Sequence, residues 1–298
     1  MELFDKQKDK NTLHNSENDT NAIHEQQRII EEQKITNDQL LYANNQLTAK
    51  NQDLQKSVQQ LESFSSIASH DLKEPLRKIM LFSNLVVEAE KNNISETSSK
   101  YMERIIVSAN RLQQLIEDLI DYSRIGSEKI KFAKTDLNKP IKKAIGELKE
   151  AIEEKKAVVA VDESMPNLPV LTSQMTQLFV NIIGNAIKYG KKDETPQIKI
   201  SAAIATAEEL QPFPVDAAAV YYKIALSDNG IGFSNDFKDS IFEAFKRLHG
   251  KDEYAGTGIG LAICKKIAAN HNGFITADST IGKGSTFLLY LPEKQTQS

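Results

Sequence analysis

The stretch TSQMTQLFVNIIGNAIKY, residues 172–189, decides the reading of the second half of this chain. Its spacing predicts a helix. At 100° per residue, Asn181, Asn185 and Lys188 fall within about 60° of one another, whereas Phe179, Ile182, Ile183, Ala186 and Ile187 point the other way. Two amides and one ammonium therefore share a face. Amide oxygens can coordinate Mg²⁺ and a lysine can hold phosphate as a point charge, so the stripe suits a metal-bound nucleotide. Taken alone, it equally describes an amphipathic surface helix.

Glycine turns further along favour the nucleotide. A strand-like run, Val220 to Leu226, leads into Ser227-Asp228-Asn229-Gly230-Ile231-Gly232. The glycines permit tight backbone approach, and Asp228 stands at the end of a buried strand, where its carboxylate can accept a hydrogen bond from an adenine amino group. Gly256-Thr257-Gly258-Ile259-Gly260-Leu261 then opens a helix whose free N–H groups and positive dipole end are available to phosphate. Other phosphate motifs fail: Gly282-Lys283 has no glycine at 277 and is followed by Gly284, so there is no Walker A loop, and neither cluster fits GxGxxG after a strand.

Outward from these motifs, the chain divides in two. All 13 glycines lie at Gly126 or later, and Pro75 is the one proline before it. The first 125 residues thus read as helix behind a ragged polar start, the rest as a compact mixed domain, in keeping with about two domains for 298 residues. A net charge of −4 lacks the footprint of a general nucleic-acid binder. One cysteine, Cys264, excludes an internal disulfide, and no run approaches a membrane span. With no apolar signal segment at the start, the expectation is a soluble, cytoplasmic protein.

In the helical half, Leu40, Leu47, Leu54 and Leu61 recur every seven residues as d positions, with Ile30, Asn37, Asn44, Asn51 and Val58 at a. Leucine at d with asparagine at a favours a parallel two-stranded coiled coil, at some cost in stability. The register continues through Leu72, Ile79 and Val86 at a and Pro75 and Phe82 at d, placing His70 at f, exposed to solvent. Pro75 should bend the helix by freeing the Asp71 carbonyl. After Asn92-Asn93, a second helix carries a stripe of Ile105, Ala109, Leu112, Ile116 and Leu119, which suggests a helical hairpin from each of two chains in a four-helix bundle. An exposed histidine alone is usually just solvated. Beside Asp71, which can orient the ring and stabilise its second proton, an unprotonated His70 becomes a credible nucleophile.

Residues 69–77, Ser-His-Asp-Leu-Lys-Glu-Pro-Leu-Arg, resemble the phosphoacceptor box of dimeric sensor histidine kinases of two-component signalling, closest to the phytochrome-like type reading HDLKEPLR. The order Asn181 to Lys188, Asp228 to Gly232, Phe242 to Arg247, Gly256 to Gly260 and Gly282 to Phe287 resembles the N, G1, F, G2 and terminal glycine boxes of the GHKL ATP-binding fold. Together the resemblance covers about residues 62–292. Behind a polar start read as disordered (1–22) and the heptads read as a coiled coil (23–61), it implies a dimerisation and acceptor hairpin (62–125), a hinge linker (126–136) and a GHKL-type α/β sandwich (137–292), followed by a tail (293–298). The fold class is thus α plus α/β.

By the same resemblance, His70 is the phosphoacceptor and Asp71 its partner. Asn181 matches the family's Mg²⁺ ligand and Asn185 its second amide near the phosphates. Lys188 and Tyr189 match the nucleotide-contacting pair, Asp228 the adenine acceptor, and Gly230 and Gly232 the turn beneath the base. Arg247 matches a lid-side cation near the phosphates, with Phe242 and Phe245 anchoring the lid. Gly256, Gly258 and Gly260 match the phosphate loop, and Thr286, more loosely, a residue near the base. The implied ligands are ATP and Mg²⁺; the implied partners are a second copy and a response regulator receiver domain. The input comes either from a separate sensor protein through the coiled coil or from sequence outside this chain.

Two departures from relatives bear on activity. Members with strong phosphatase activity carry Thr or Asn four residues after the histidine, where this chain has Glu74, which puts dephosphorylation of a regulator in doubt. Gyrase-type ATPases place a glutamate where Asn181 stands, and an amide cannot act as a general base, which favours transfer over hydrolysis. An ATP-binding scaffold or pseudokinase, and a conformational ATPase, are the alternative readings; a non-enzymatic coiled-coil protein would account for residues 23–61 alone.

Overall fold

A computed structural model describes residues 72–90, 94–125, 132–213, 215, 219–248 and 256–295, with scattered positions between 28 and 50. The chain forms two compact units, Met1–Gln60 and Leu61–Ser298. In the first, the described positions are helical and exposed, Leu40 and Asn44 among them. The remaining heptad leucines, Leu47, Leu54 and Leu61, together with His70, Asp71 and the hinge glycine Gly126, lie outside the described residues.

The second unit begins with two helices. Helix α1 (72–89) runs on through Pro75. Helix α2 (Glu96–Arg124) starts at Ser95, whose hydroxyl accepts a hydrogen bond from Ser98 N, and carries Glu96 in its first turn and Arg124 in its last, each matched to the adjacent dipole end. The two helices pack through Leu76, Ala109 and Ile116, with Met80 and Ile120 alongside. Lys73 and Glu117 approach to 3.5 Å across the pair. The predicted seam residues stand differently: Leu72, Ile79, Phe82 and Val86 on α1, and Ile105, Leu112 and Leu119 on α2, are exposed in the single chain.

The sandwich follows. Strand β1 (Ala133–Asp136) pairs antiparallel with β3 (Asn167–Val170) in a two-stranded sheet. The last four residues of the predicted hinge linker therefore belong to the folded domain, because their ladder partners lie inside it. Helices α3 (Asn138–Glu147) and α4 (Lys149–Lys155) lead to the main sheet. Its strands β2 (Val158–Val161), β4 (Gln197–Ile204), β5 (Tyr221–Asp228), β6 (Phe274–Thr280) and β7 (Gly284–Pro292) are ordered β2-β4-β5-β7-β6. The β2–β4 pair is parallel and the others antiparallel.

Period-two alternation turns Ile198, Ile200, Ile224, Leu226, Ile275, Phe287 and Leu289 toward the helices, and all are buried. Against that face pack α5 (Thr172–Lys188), through Phe179, Ile182, Ile183 and Ile187, and α7 (Gly260–Asn270), through Ile263, Cys264 and Ile267. This is the helix and the apolar side predicted for residues 172–189. A short helix, α6 (Ala207–Leu210), opens with a capping box between Thr206 and Glu209. Its following Phe213 stacks on Phe274 at 3.7 Å, and Glu209 pairs with Lys223 on the sheet's other side.

One buried imidazole joins α7 to the start of α5. His271 is wholly buried; its Nε2 accepts from Leu171 N at 3.0 Å, and its Nδ1, which must then carry the proton, donates to Ile267 O at 2.7 Å. It satisfies the first residue before α5, which has no side-chain cap. Burial holds its pKa below the ordinary histidine range, against a smaller opposing effect of the Ile267 bond. The folded state thus favours neutral His271, while the unfolded chain takes up a proton near about 6.5. Its contribution is present above that value and is lost as pH falls toward the folded-state pKa. Urea unfolding should show a lower midpoint at about pH 5.5 than at about pH 7.5. In His271→Leu that pH slope should flatten, with about 1–3 kcal/mol lost at neutral pH for the unpaired Leu171 N–H.

Candidate active site

A cavity of about 360 Å³ opens between α5, the end of β5, the loop before α7, and α2. That size suits a nucleotide-sized ligand. Asn181, Asn185, Lys188 and Tyr189 line it from α5 and its C-terminal end, Asp228 and Gly232 from the β5 turn, and Arg247, Gly256, Gly258 and Gly260 from the segments before and at α7. Ten of the sequence-predicted residues, separated by as many as 79 positions, thus converge on one space.

The two amides differ in their engagement. Asn181 Nδ2 donates to Gly260 O at 3.2 Å, tying α5 to α7. The Asn185 side chain has no hydrogen-bond partner among the described residues and faces the cavity. Lys188 Nζ donates to the Tyr189 hydroxyl at 2.9 Å and lies 4.4 Å from that ring's centre. Cys264 is buried and its thiol is pushed up to about 12 by burial, so it takes no part as a thiolate.

At the opposite end, Asp228 Oδ1 accepts from Gly230 N at 2.8 Å and from Ser285 N at 3.2 Å. Burial raises its pKa, and the two backbone bonds oppose the rise. The turn after it is pinned on both sides. Ile231 N donates to Tyr189 O at 3.0 Å, Gly282 N to Ile231 O at 2.7 Å, and Phe233 N to Ser279 Oγ at 2.9 Å. Gly230 itself shapes this turn without reaching the cavity wall: a Cβ there would sit 2.6 Å from Tyr189 O.

The loop before α7 has a bare backbone. Gly256 and Gly258 take φ of 149° and 80°, and α7 begins without a side-chain cap. Arg247 Nη1 donates to Gly256 O at 3.0 Å, and Phe245 N donates to Gly258 O at 3.0 Å, so the segment 245–248 is held to this loop.

Two sequence expectations are corrected. Thr286 points to the other side of the sheet, where its hydroxyl meets Ser227 Oγ at 2.9 Å; its neighbours Ser285 and Phe287 face the cavity instead, as strand alternation requires. Phe242 anchors its segment, buried edge-on against Phe287, but the Phe245 side chain is 60% exposed at a φ of 66° and makes no ring contact among the described residues. Sequence reasoning also missed Gln114 and Asp118, which line the cavity from α2, and Thr257, whose hydroxyl donates to Asp118. Thr257 was visible between its two glycines; nothing local marks Asp118.

The cavity's position in the sandwich and the hairpin before it define a class: a nucleotide-binding GHKL-type domain behind a phosphoacceptor-type hairpin. The family models agree. "Histidine kinase-, DNA gyrase B-, and HSP90-like ATPase" matches residues 171–295, and "His Kinase A (phospho-acceptor) domain" matches residues 60–128. Cyanobacterial phytochrome A of Nostoc sp. is 36% identical over 240 residues, which are 80% of this chain and 29% of the phytochrome. The sensor-like histidine kinase SenX3 of Mycobacterium tuberculosis is 32% identical over 235 residues, 77% of this chain and 53% of SenX3. The chain thus spans under a third of the length of that phytochrome. Among solved structures, full-length ShkA in complex with AMPPNP shares the fold at TM-score 0.55 and 22% identity, over 79% of this chain and 47% of ShkA. Histidine kinase ThkA in complex with response regulator protein TrrA shares it at TM-score 0.50 and 19% identity, over 80% and 64%. Over residues 60–128 and 171–295 this chain thus carries the two domains found in sensor histidine kinases.

Glycine substitutions test the geometry of the turn. A Cβ at Gly232, where φ is 62°, would sit 2.2 Å from Thr280 O, so Gly232→Ala should lose about 2–3 kcal/mol in urea unfolding. Gly146 in α3 has nothing within 4 Å of a built Cβ, and Gly146→Ala should be neutral or mildly stabilising by the same measurement.

Proposed function

We propose that this chain is an ATP-dependent protein histidine kinase in which His70 accepts the γ-phosphoryl group and an aspartate of a separate response regulator then receives it. The observation that carries this reading is the convergence of Asn185, Lys188, Asp228, Arg247 and the Gly256–Gly260 loop on one cavity. Asp228, held by two backbone donors, suits the exocyclic amine of adenine, with Gly230 and Gly232 forming the turn beneath the base. The uncapped start of α7 and the bare backbone at Gly256 and Gly258 suit phosphate, with Lys188 and Arg247 as nearby cations.

A divalent cation fits the amide pair, since hard cations take oxygen ligands and Mg²⁺ keeps several waters. Asn181 and Asn185 would hold it, and Asn185 has the less committed amide. When bound, Mg²⁺ would neutralise phosphate charge during transfer. The chain's own part is to orient the nucleotide, to set Arg247 and the α7 terminus against developing charge, and to present His70 in line. The imidazole nitrogen forms the N–P bond as the bond from the γ-phosphorus to the β–γ bridging oxygen breaks, and ADP leaves. Asp71 orients the ring and stabilises its second proton.

Incubation with γ-labelled ATP should give an acid-labile label on the chain that is absent in His70→Ala. A label that persists in that variant would remove His70 as acceptor; steady phosphate release with no labelled chain would instead favour the conformational ATPase.

A homodimer follows from the two heptad stripes left exposed on the hairpin, Leu72, Ile79 and Val86 on α1 and Ile105, Leu112 and Leu119 on α2. The coiled coil before them would carry input, from a separate sensor protein or an adjoining segment. Among the described residues no helix is long and apolar enough to cross a membrane. Glu74, exposed and paired with Lys78 at 2.9 Å, stands where phosphatase-active relatives use Thr or Asn, so regulator dephosphorylation is expected to be weak. Light scattering should give twice the chain mass for the natural protein and a monomer for Ile79→Glu/Leu112→Glu. A dimer mass in that variant would place the interface elsewhere.

A further inference from the structure

The hairpin contributes a wall to the nucleotide cavity. Gln114 and Asp118 of α2 line the same space as Asn185, Lys188 and Arg247. Thr257 is the point of contact. Its hydroxyl donates to Asp118 Oδ2 and lies 3.4 Å from Ile259 N, just before the first turn of α7. The other α2 contacts lie outside the cavity: Gln177 Nε2 donates to Asp121 Oδ2 at 3.0 Å, and Lys266 Nζ donates to Tyr122 O at 2.6 Å. Ile125, just past α2, is buried in the sandwich core. The helix is therefore held by several contacts, and the Asp118–Thr257 bond enters the site.

That bond sets a carboxylate on the loop assigned to phosphate. A polyphosphate there would compete for the Thr257 hydroxyl and would bring like charge beside Asp118, whereas the adenine end at Asp228 would be unaffected. The neighbouring Asp121 registers the same field: burial raises its pKa, and the Asp118 charge raises it further. Lys188 and Arg247 offset the repulsion without removing it, since both line the cavity with Asp118.

We propose that Asp118 is a specificity-determining residue of the nucleotide site, contributed by the hairpin, which disfavours nucleotides in proportion to their phosphate charge while α2 is docked. This rests on the kinase reading of the cavity. By reciprocity, a bound triphosphate weakens the docking of α2 on the glycine loop as much as docking weakens the triphosphate. Diphosphate product, with less charge, opposes docking less, so the contact re-forms more readily after transfer.

The test is calorimetric binding of adenosine, ADP and ATP, in EDTA at low salt, to the full chain and to Asp118→Asn. Asparagine keeps an oxygen for the Thr257 hydroxyl but removes the charge. The expected result is ATP bound about five- to tenfold more tightly by the variant, ADP by a smaller factor, and adenosine unchanged. Asp121→Asn removes a second α2 carboxylate that lies outside the cavity and keeps an acceptor for Gln177, so it controls for a general loss of charge on α2 and should leave the ratio of ATP to adenosine affinity as it is. An equal gain for all three ligands, or none, overturns the role of Asp118 and leaves the kinase reading intact. Failure of all three ligands to bind either protein overturns both.

Discussion

The site depends on a close approach of bare backbone at the end of β5. A Cβ at Gly284 would lie 1.9 Å from Asp228 O, and one at Gly232 would lie 2.2 Å from Thr280 O. Only glycine lets the β6–β7 turn close on the end of β5. That closure brings Ser285 N to the Asp228 carboxylate and holds an acidic group, half-desolvated, where it faces the cavity. The same approach orders the turn from Asn229 to Phe233, so this end of the cavity is preorganised by main chain rather than by side-chain packing.

The opposite end follows a different principle. Around Gly256 to Gly260 the backbone is left open, with positive φ at two glycines and an uncapped helix start, and it is steadied by hydrogen bonds from the Phe245 N–H and the Arg247 side chain. A rigid acceptor end and an open N–H-rich end form one cavity because α5 runs between them, with its polar stripe facing the ligand space and its apolar side in the core. Helix α2 completes the wall. In the proposed kinase, nucleotide occupancy and hairpin docking would depend on each other, because the Asp118–Thr257 bond lies at the loop proposed to hold phosphate.

Much of this was legible from residue order. The stripe of Asn181, Asn185 and Lys188 follows from helical periodicity, and the positions of Asp228, Gly232, Gly256 and Gly258 from the need for tight turns at strand and helix ends. Thr286 was misplaced by one residue: in a strand a single step reverses the face, and only its pairing with Ser227 shows which parity holds. Phe245 was placed as an anchor by the family resemblance, and its side chain is exposed at a positive φ. The predicted linker lost residues 133–136 to β1, whose partner strand lies more than 30 positions away.

The amino-acid order by itself determined the change from helices to an α/β sandwich, the acceptor-box resemblance and most cavity residues, because periodicity and turn chemistry are local and leave local signatures. The tertiary structure alone decided that α2 reaches the glycine loop and that His271 clasps the segment before α5. Those contacts join residues 139 and 100 positions apart, and they arise from how whole layers pack, which no short-range pattern encodes.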